Sequence, residues 1–193
     1  MLDQGAFGLT TGLTYVPSRY APTSELVSLC ETLAARGRLY ASHARDRDLN
    51  GTDHRYGPLN EAMHLGRATG VKVQYSHAAI NTPSEWGTAA AWVERFEEAV
   101  QHGVDAGFDV YPYDASSSAL TQYLPAWVQE GGVAAMRERL QDPATMDRAE
   151  AELAQGWSAH QITWLWDRVV VARTDGILGA REGPTIEAAA AAD

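Results

Sequence analysis

Apolar and polar residues alternate along the chain in patterns that predict short strands and amphipathic helices. In the stretch VKVQYS, Val71, Val73 and Tyr75 are separated by single polar residues, which is the period of a half-buried strand. In LVSLCETLA, residues 26–34, apolar side chains recur every three or four positions, which predicts a helix that buries one face. These two patterns follow one another several times up to residue 113, so we expect repeated strand and helix units.

Four strands and three helices are predicted in this part of the chain. Thr23 and Ser24 are candidates to cap the first helix, and a glycine follows each helical segment, as is typical of helix ends. The strands are predicted at residues 5–12, 38–43, 71–77 and 105–113, and the helices at about residues 23–37, 58–69 and 88–102.

Strands that alternate with helices of this length form right-handed βαβ units, so we predict the α/β class with a parallel sheet. An open doubly wound sheet would normally carry a Gly-rich turn after its first strand, which this sequence lacks. Its strands end instead in the polar segments TTGLTY, SHAR, SHAAIN and VYPYDASSS. Such residues at successive strand ends are typical of a TIM-type (β/α)₈ barrel. We predict a partial barrel, because four or five βα units cannot close eight strands.

The regular alternation of predicted strands and helices is confined to residues 1–113. Residues 114–166 are predicted to form a long loop and surface helices, with a break at Pro143. Residues 167–193 are predicted to form a short strand, at residues 167–174, and a truncated, uncapped Ala-rich helix. We therefore interpret the chain as one partial barrel with an inserted helical segment.

Composition argues against several classes of function. The net charge of −10, with 15 scattered basic residues, is unfavourable for binding nucleic acid. No apolar run reaches about 18 residues and the N-terminus has no signal-peptide pattern, so we expect a cytoplasmic protein without a membrane partner. The single cysteine, Cys30, excludes a disulfide framework and is predicted to be buried on the first helix.

Two of the predicted strands end in Ser-His. His43 and His77 would lie at the same edge of a parallel sheet if one crossover helix separates their strands. Zinc binds neutral imidazole and needs three or four ligands, so two histidines are half of a site. Each could equally be a hydrogen-bonded loop histidine, and the spacing leaves both interpretations open. The remaining histidines are interpreted as solvated or packing residues: His54, His64, His102 and His160.

Arg45 lies two residues after His43 and would point the same way if the strand continues. A guanidinium in that position is suited to bind a substrate carboxylate. A loop salt bridge with Asp46 or Asp48 is equally compatible with the spacing.

Tyr111 stands at the end of the fourth predicted strand. Its phenol could bind an oxyanion at the mouth of the sheet, or it could simply pack at the rim. Spacing alone assigns no role to Asp109 or Asp114.

The ordered segments GAFGLTTGLTY, YASHARD, VQYSHAAINTPSEWG and DVYPYDASSS resemble the N-acyl-D-amino-acid deacylases, or D-aminoacylases, of the amidohydrolase superfamily. The resemblance runs from about residue 5 to residue 133. It implies a metal-dependent (β/α)₈ barrel hydrolase that cleaves a small-molecule N-acyl-D-amino acid to a carboxylate and a free D-amino acid. This chain would cover roughly the fourth to the seventh strand. We therefore expect an internal fragment that is inactive in isolation.

The resemblance also implies roles for individual residues. His43 and His77 match histidines that bind zinc at the ends of the fifth and sixth strands, in a site of one or two ions. Arg45 and Tyr111 match residues that hold the substrate α-carboxylate in related enzymes. The metal would polarise the amide carbonyl and lower the pKa of its bound water.

The chain departs from the family pattern at several positions. It lacks the His-x-His of the first barrel strand; Cys30 is not at the place of the bridging cysteine, and Asp175 comes too early to be the general base. Ala79 stands where many relatives carry a lysine, so another amide or a cyclic amide is an alternative substrate. A non-catalytic α/β module that binds a small molecule is the alternative from a different class.

Overall fold

The computed structural model describes residues 1–45, 56–80, 85–155, 166–174 and 183–191. The chain divides into two compact units, Met1–Ala154 and Gln155–Asp193. Five residues with a predicted or excluded role lie outside the described ranges: Asp46, Asp48, His54, His160 and Asp175.

The first unit is built on a four-stranded parallel sheet. Its strands are β1 (Gly8–Gly12), β2 (Leu39–His43), β3 (Lys72–Tyr75) and β4 (Ala106–Phe108), and they neighbour one another in chain order. The predicted α/β class with a parallel sheet is confirmed. The strand predicted at residues 105–113 is too long, because the regular pairing of β4 with β3 ends at Phe108 and Tyr75.

Three helices connect these strands and pack on the sheet: α1 (Thr23–Ala34), α2 (Gly57–Thr69) and α3 (Ala89–Gln101). The predicted side-chain cap of α1 is wrong. Pro22 occupies the cap position and no side chain caps it, while the Thr23 hydroxyl donates to Glu61 Oε1 at 2.7 Å. A contact with a distant residue has replaced the local one.

The hydrophobic core lies between the helices and one face of the sheet. Tyr40 and Val73, which are register partners on β2 and β3, are both buried against it. The Tyr40 hydroxyl is 2.7 Å from Thr11 Oγ1, which satisfies its buried polar atom. Cys30 is buried as predicted, and burial raises the pKa of its thiol to about 11.

The later part of the first unit is helical. It contains α4 (Ala126–Gln129), α5 (Gly132–Arg139) and α6 (Pro143–Leu153) around a small cluster of Val128, Met136 and Ala149. Pro143 occupies the first turn of α6, where a missing N–H costs nothing, and Asp142 caps that helix by accepting from Thr145 N at 3.0 Å. The predicted break at Pro143 is confirmed.

The second unit contains one isolated antiparallel bridge, between Val170 and Thr185, and the helix α7 (Ile186–Ala190) among its described residues. The predicted strand at residues 167–174 is thus reduced to a single bridge. The prediction that the Ala-rich helix has no cap is also wrong, because Thr185 Oγ1 accepts from Ala188 N at 3.2 Å.

Within the described ranges, the longest apolar helices fall short of what is needed to cross a lipid bilayer.

Gly66 on α2 allows the helix to lie close to the sheet. A Cβ at this position would lie 2.6 Å from Val104 Cγ1 and 3.2 Å from Val73 Cγ2.

We expect Gly66→Ala to lower the free energy of unfolding by about 1 to 3 kcal/mol, since overpacking outweighs the better helix propensity of alanine. Urea unfolding measures this. The control is His64→Ala at an exposed position of α2, which should be near neutral. Equal stability of Gly66→Ala and the parent would contradict the close packing.

Candidate functional site

Two histidines meet at the C-terminal edge of the sheet. His43 is the last residue of β2, and His77 follows β3 by two residues. His43 Nδ1 lies 2.8 Å from His77 Nε2, and the two rings meet edge to face with centroids 4.4 Å apart. The parallel register brings them together, because Ser42 pairs with Tyr75 and Ser76 N donates to Ser42 O at 2.9 Å. The pair is thus a product of strand register and not of nearness in sequence.

The backbone at His77 adopts an unusual conformation. Its φ is 39°, and among the described residues no other non-glycine residue has a positive φ. Such backbone strain persists only where contacts with other residues hold it. The His77 N–H donates to Asp109 Oδ1 at 2.6 Å, and Gln74 Nε2 donates to Asp109 Oδ2 at 2.7 Å. The hydrogen bond from the His77 amide and then that from Gln74 lower the pKa of Asp109. Asp109 therefore positions His77 through the backbone.

Two tyrosines flank the histidine pair. The Tyr15 ring lies 4.9 Å from the His43 ring, and the Tyr111 ring lies 6.5 Å from the His77 ring, measured between centroids. Tyr111 was singled out from the sequence, whereas Tyr15 was not. The available signal for Tyr15 was its place in TTGLTY, directly after the first strand.

Arg45 points into the protein in this structure. Its side chain is only 4% exposed and its Nε donates to Glu61 Oε2 at 2.8 Å. Its other two nitrogens donate to the backbone carbonyls of Arg19 and Ala21. Among the described residues, its ion-pair partner is Glu61 on α2, while Asp46 and Asp48 lie outside those residues. Its role in binding a substrate carboxylate stays a prediction.

The histidine pair has the donor chemistry of a partial zinc site. Two nitrogens that each lie about 2.0 to 2.1 Å from one tetrahedral zinc are about 3.3 Å apart, so the pair would need to open by roughly 0.5 Å. Over the part of the chain that the structure describes, no group of three His, Cys, Asp or Glu residues is arranged to hold a metal. The residues present therefore fit two of the three or four ligands that zinc requires.

We expect Asp109→Ala to loosen the backbone at His77. Loss of a hydrogen bond to a charged acceptor, worth about 1.5 kcal/mol, should speed exchange of the His77 amide proton about tenfold. Hydrogen exchange followed by NMR measures this. The matched control is Asp105→Ala, since Asp105 is an exposed aspartate whose carboxylate lies 3.3 Å from Lys72 Nζ. Equal exchange at His77 in the parent and in Asp109→Ala would contradict the positioning role.

Comparison with known proteins gives related sequences that are all deacylases. No protein-family model matches the chain. An N-acyl-D-glutamate deacylase from Alcaligenes xylosoxydans xylosoxydans is 33% identical over 162 residues, which is 84% of this chain and 32% of that protein. A D-aminoacylase from the same organism is 34% identical over 121 residues, which is 63% of this chain and 24% of that protein.

Solved structures give the same result. An N-acyl-D-glutamate deacylase from Bordetella bronchiseptica, crystallised with zinc and a phosphonate that mimics the tetrahedral intermediate, matches with a TM-score of 0.51 and 34% identity. The match covers 56% of this chain and 22% of that one. A D-aminoacylase whose crystal structure defines a novel subset of amidohydrolases matches with a TM-score of 0.52 and 32% identity, over 58% of this chain and 23% of that one.

The chain spans about a third or less of the length of the curated relatives that it matches. The agreement in sequence extends over 84% of this chain, and the agreement in structure extends over 56% of it. The chain is therefore related to the N-acyl-D-amino-acid deacylases, the D-aminoacylases of the amidohydrolase superfamily.

Proposed function

We propose that this chain is part of a zinc-dependent hydrolase that cleaves the amide bond of N-acyl-D-amino acids to a carboxylate and a free D-amino acid. The observation that carries the proposal is the pair His43 and His77, whose ring nitrogens lie 2.8 Å apart at the C-terminal edge of a parallel sheet. The similarity to deacylases, one of them crystallised with zinc, supplies the reaction.

We further propose that the sheet is part of a (β/α)₈ barrel, roughly its fourth to seventh strands. The strand order supports this, since β1 to β4 neighbour one another in chain order, whereas a doubly wound sheet reverses its order at a switch point. The burial pattern also supports it. Tyr40 and Ser42 are buried against the helices, while the alternate residue Leu39 on β2 is 42% exposed. That second face would line the interior of the complete barrel.

In this proposal, His43 and His77 are two of the zinc ligands. A zinc ion held there would polarise the amide carbonyl and lower the pKa of its bound water. The other groups of this chain orient the reactants. Asp109 holds His77 in place through its amide, and Tyr111 lies beside His77, where its phenol can donate to a carboxylate or an oxyanion of the substrate.

The general base and the remaining metal ligands have no assigned residue in this chain. Two imidazoles alone bind zinc incompletely, since zinc requires three or four ligands. We therefore propose that the 193 residues in isolation do not turn over substrate.

The metal assignment is tested by replacing the ligands in the full-length protein. We expect His43→Ala and His77→Ala each to lose most of the bound zinc, measured by elemental analysis after removal of loosely held metal. His64→Ala is the control, because His64 is exposed on α2 on the first unit. Unchanged zinc content in both ligand variants would remove the assignment, whatever the activity of the protein.

The reaction is tested with a panel of N-acetyl-D-amino acids that includes the glutamate and aspartate derivatives. We expect zinc-dependent release of the free D-amino acid, with little release from the L enantiomers. A zinc-loaded protein that releases no amino acid from any member of the panel would overturn the deacylase proposal.

A further inference from the structure

We propose that Arg45 is a positioning residue, whose buried guanidinium paired with Glu61 fastens the loop of residues 13–22 so that Tyr15 rests against His43. The inference builds on the proposed function only in treating His43 as a metal ligand. The contacts that define it are independent of any metal or substrate.

The surroundings of Arg45 leave little room for a ligand. Acceptors among the described residues occupy at least three of its five N–H groups, one on each nitrogen: Glu61 Oε2, Arg19 O at 2.7 Å and Ala21 O. The side chain is 4% exposed and that of Glu61 is 11% exposed. A substrate carboxylate could reach this guanidinium only by displacing the loop that covers it.

Glu61 completes the arrangement from α2. One carboxylate oxygen accepts from Arg45 and the other accepts from the Thr23 hydroxyl at 2.7 Å. A single carboxylate thus joins the end of β2, the start of α1 and the middle of α2. Removing either charge would leave the other buried without its partner, which is much less favourable than replacing both.

The loop between β1 and α1 is held at both ends. At its start, Leu13 N donates to His43 O at 2.9 Å, and the Thr14 hydroxyl donates to Ala44 O at 3.0 Å. Near its other end, the carbonyl oxygens of Arg19 and Ala21 accept hydrogen bonds from Arg45. Between these attachments lies Tyr15, with its ring 4.9 Å from that of His43. Arg45 therefore acts on His43 through the loop and through Tyr15.

The test compares Arg45→Lys and Glu61→Gln with Tyr15→Leu. Lysine keeps the charge but cannot bind three acceptors in a fork, and glutamine keeps the shape but not the charge. We expect both variants to speed amide exchange in residues 13–22 at least tenfold, while exchange in α3 is unchanged. They should also shift the ring NMR signals of His43 in the same direction as Tyr15→Leu does. A residue that served stability alone would not move those signals.

Two further variants keep the test decisive if a single substitution fails to fold. The double variant Arg45→Met with Glu61→Met removes both buried charges, so we expect it to recover folding while the loop still exchanges quickly. Arg36→Met is the matched control, because Arg36 forms an exposed ion pair with Asp3 at 3.2 Å. It should leave the loop and the His43 signals unchanged.

The outcomes separate the alternatives. If Arg45 contacts the substrate instead, Arg45→Lys raises the KM of the full-length protein for N-acyl-D-amino acids, while Glu61→Gln leaves KM, loop exchange and the His43 signals as in the parent. That result, or parent-like loop exchange in the double variant, overturns the inference. If the full-length protein binds no zinc but amide exchange in residues 13–22 still depends on Arg45 and Glu61, only the proposed function is contradicted.

Discussion

The parallel pairing of β2 with β3 is the constraint on which the candidate site depends. Tyr40 pairs with Val73 and Ser42 with Tyr75, and the ladder continues past the strands through Ser76 N and Ser42 O. Side chains on a strand alternate between faces, so a slip of one residue would turn Leu39, Ala41 and His43 toward the helices and expose Tyr40. The helices covering that face thus fix the register, and the register places both histidines at one edge.

Neighbouring strands then hold the histidine pair from outside. The carboxylate of Asp109, just after β4, accepts a hydrogen bond from the His77 amide. The carbonyl oxygen of His43 accepts a hydrogen bond from the amide of Leu13, just after β1. Strain at His77 is tolerated because several hydrogen bonds hold its backbone on both sides. A pair of imidazoles fixed in this way from all four strands is suited to hold a metal ion with little reorganisation, as the proposed deacylase reaction requires.

Elements whose signals are local were predictable from the sequence. The alternation around Val73 and the helical spacing around Cys30 marked a strand and a helix, and Pro143 marked a break between two helices. Where a distant partner competes with a local signal, prediction from the sequence was wrong. Thr23 bonds to Glu61 instead of capping its own helix, and the fourth strand stops where its neighbour stops.

The sequence by itself determined the α/β pattern and the parallel sheet, because these follow from the periodicity of short segments and from the alternation of strands with helices. It also placed His43 at the end of one strand and His77 shortly after the end of the next. Only the tertiary structure decided three contacts: the inward ion pair of Arg45 with Glu61, the packing of Tyr15 beside His43, and the hydrogen bond from the His77 amide to Asp109. Each of these contacts joins residues on different elements. Periodicity along the chain carries no information about such pairs, so the packing of helices on the sheet has to bring them together.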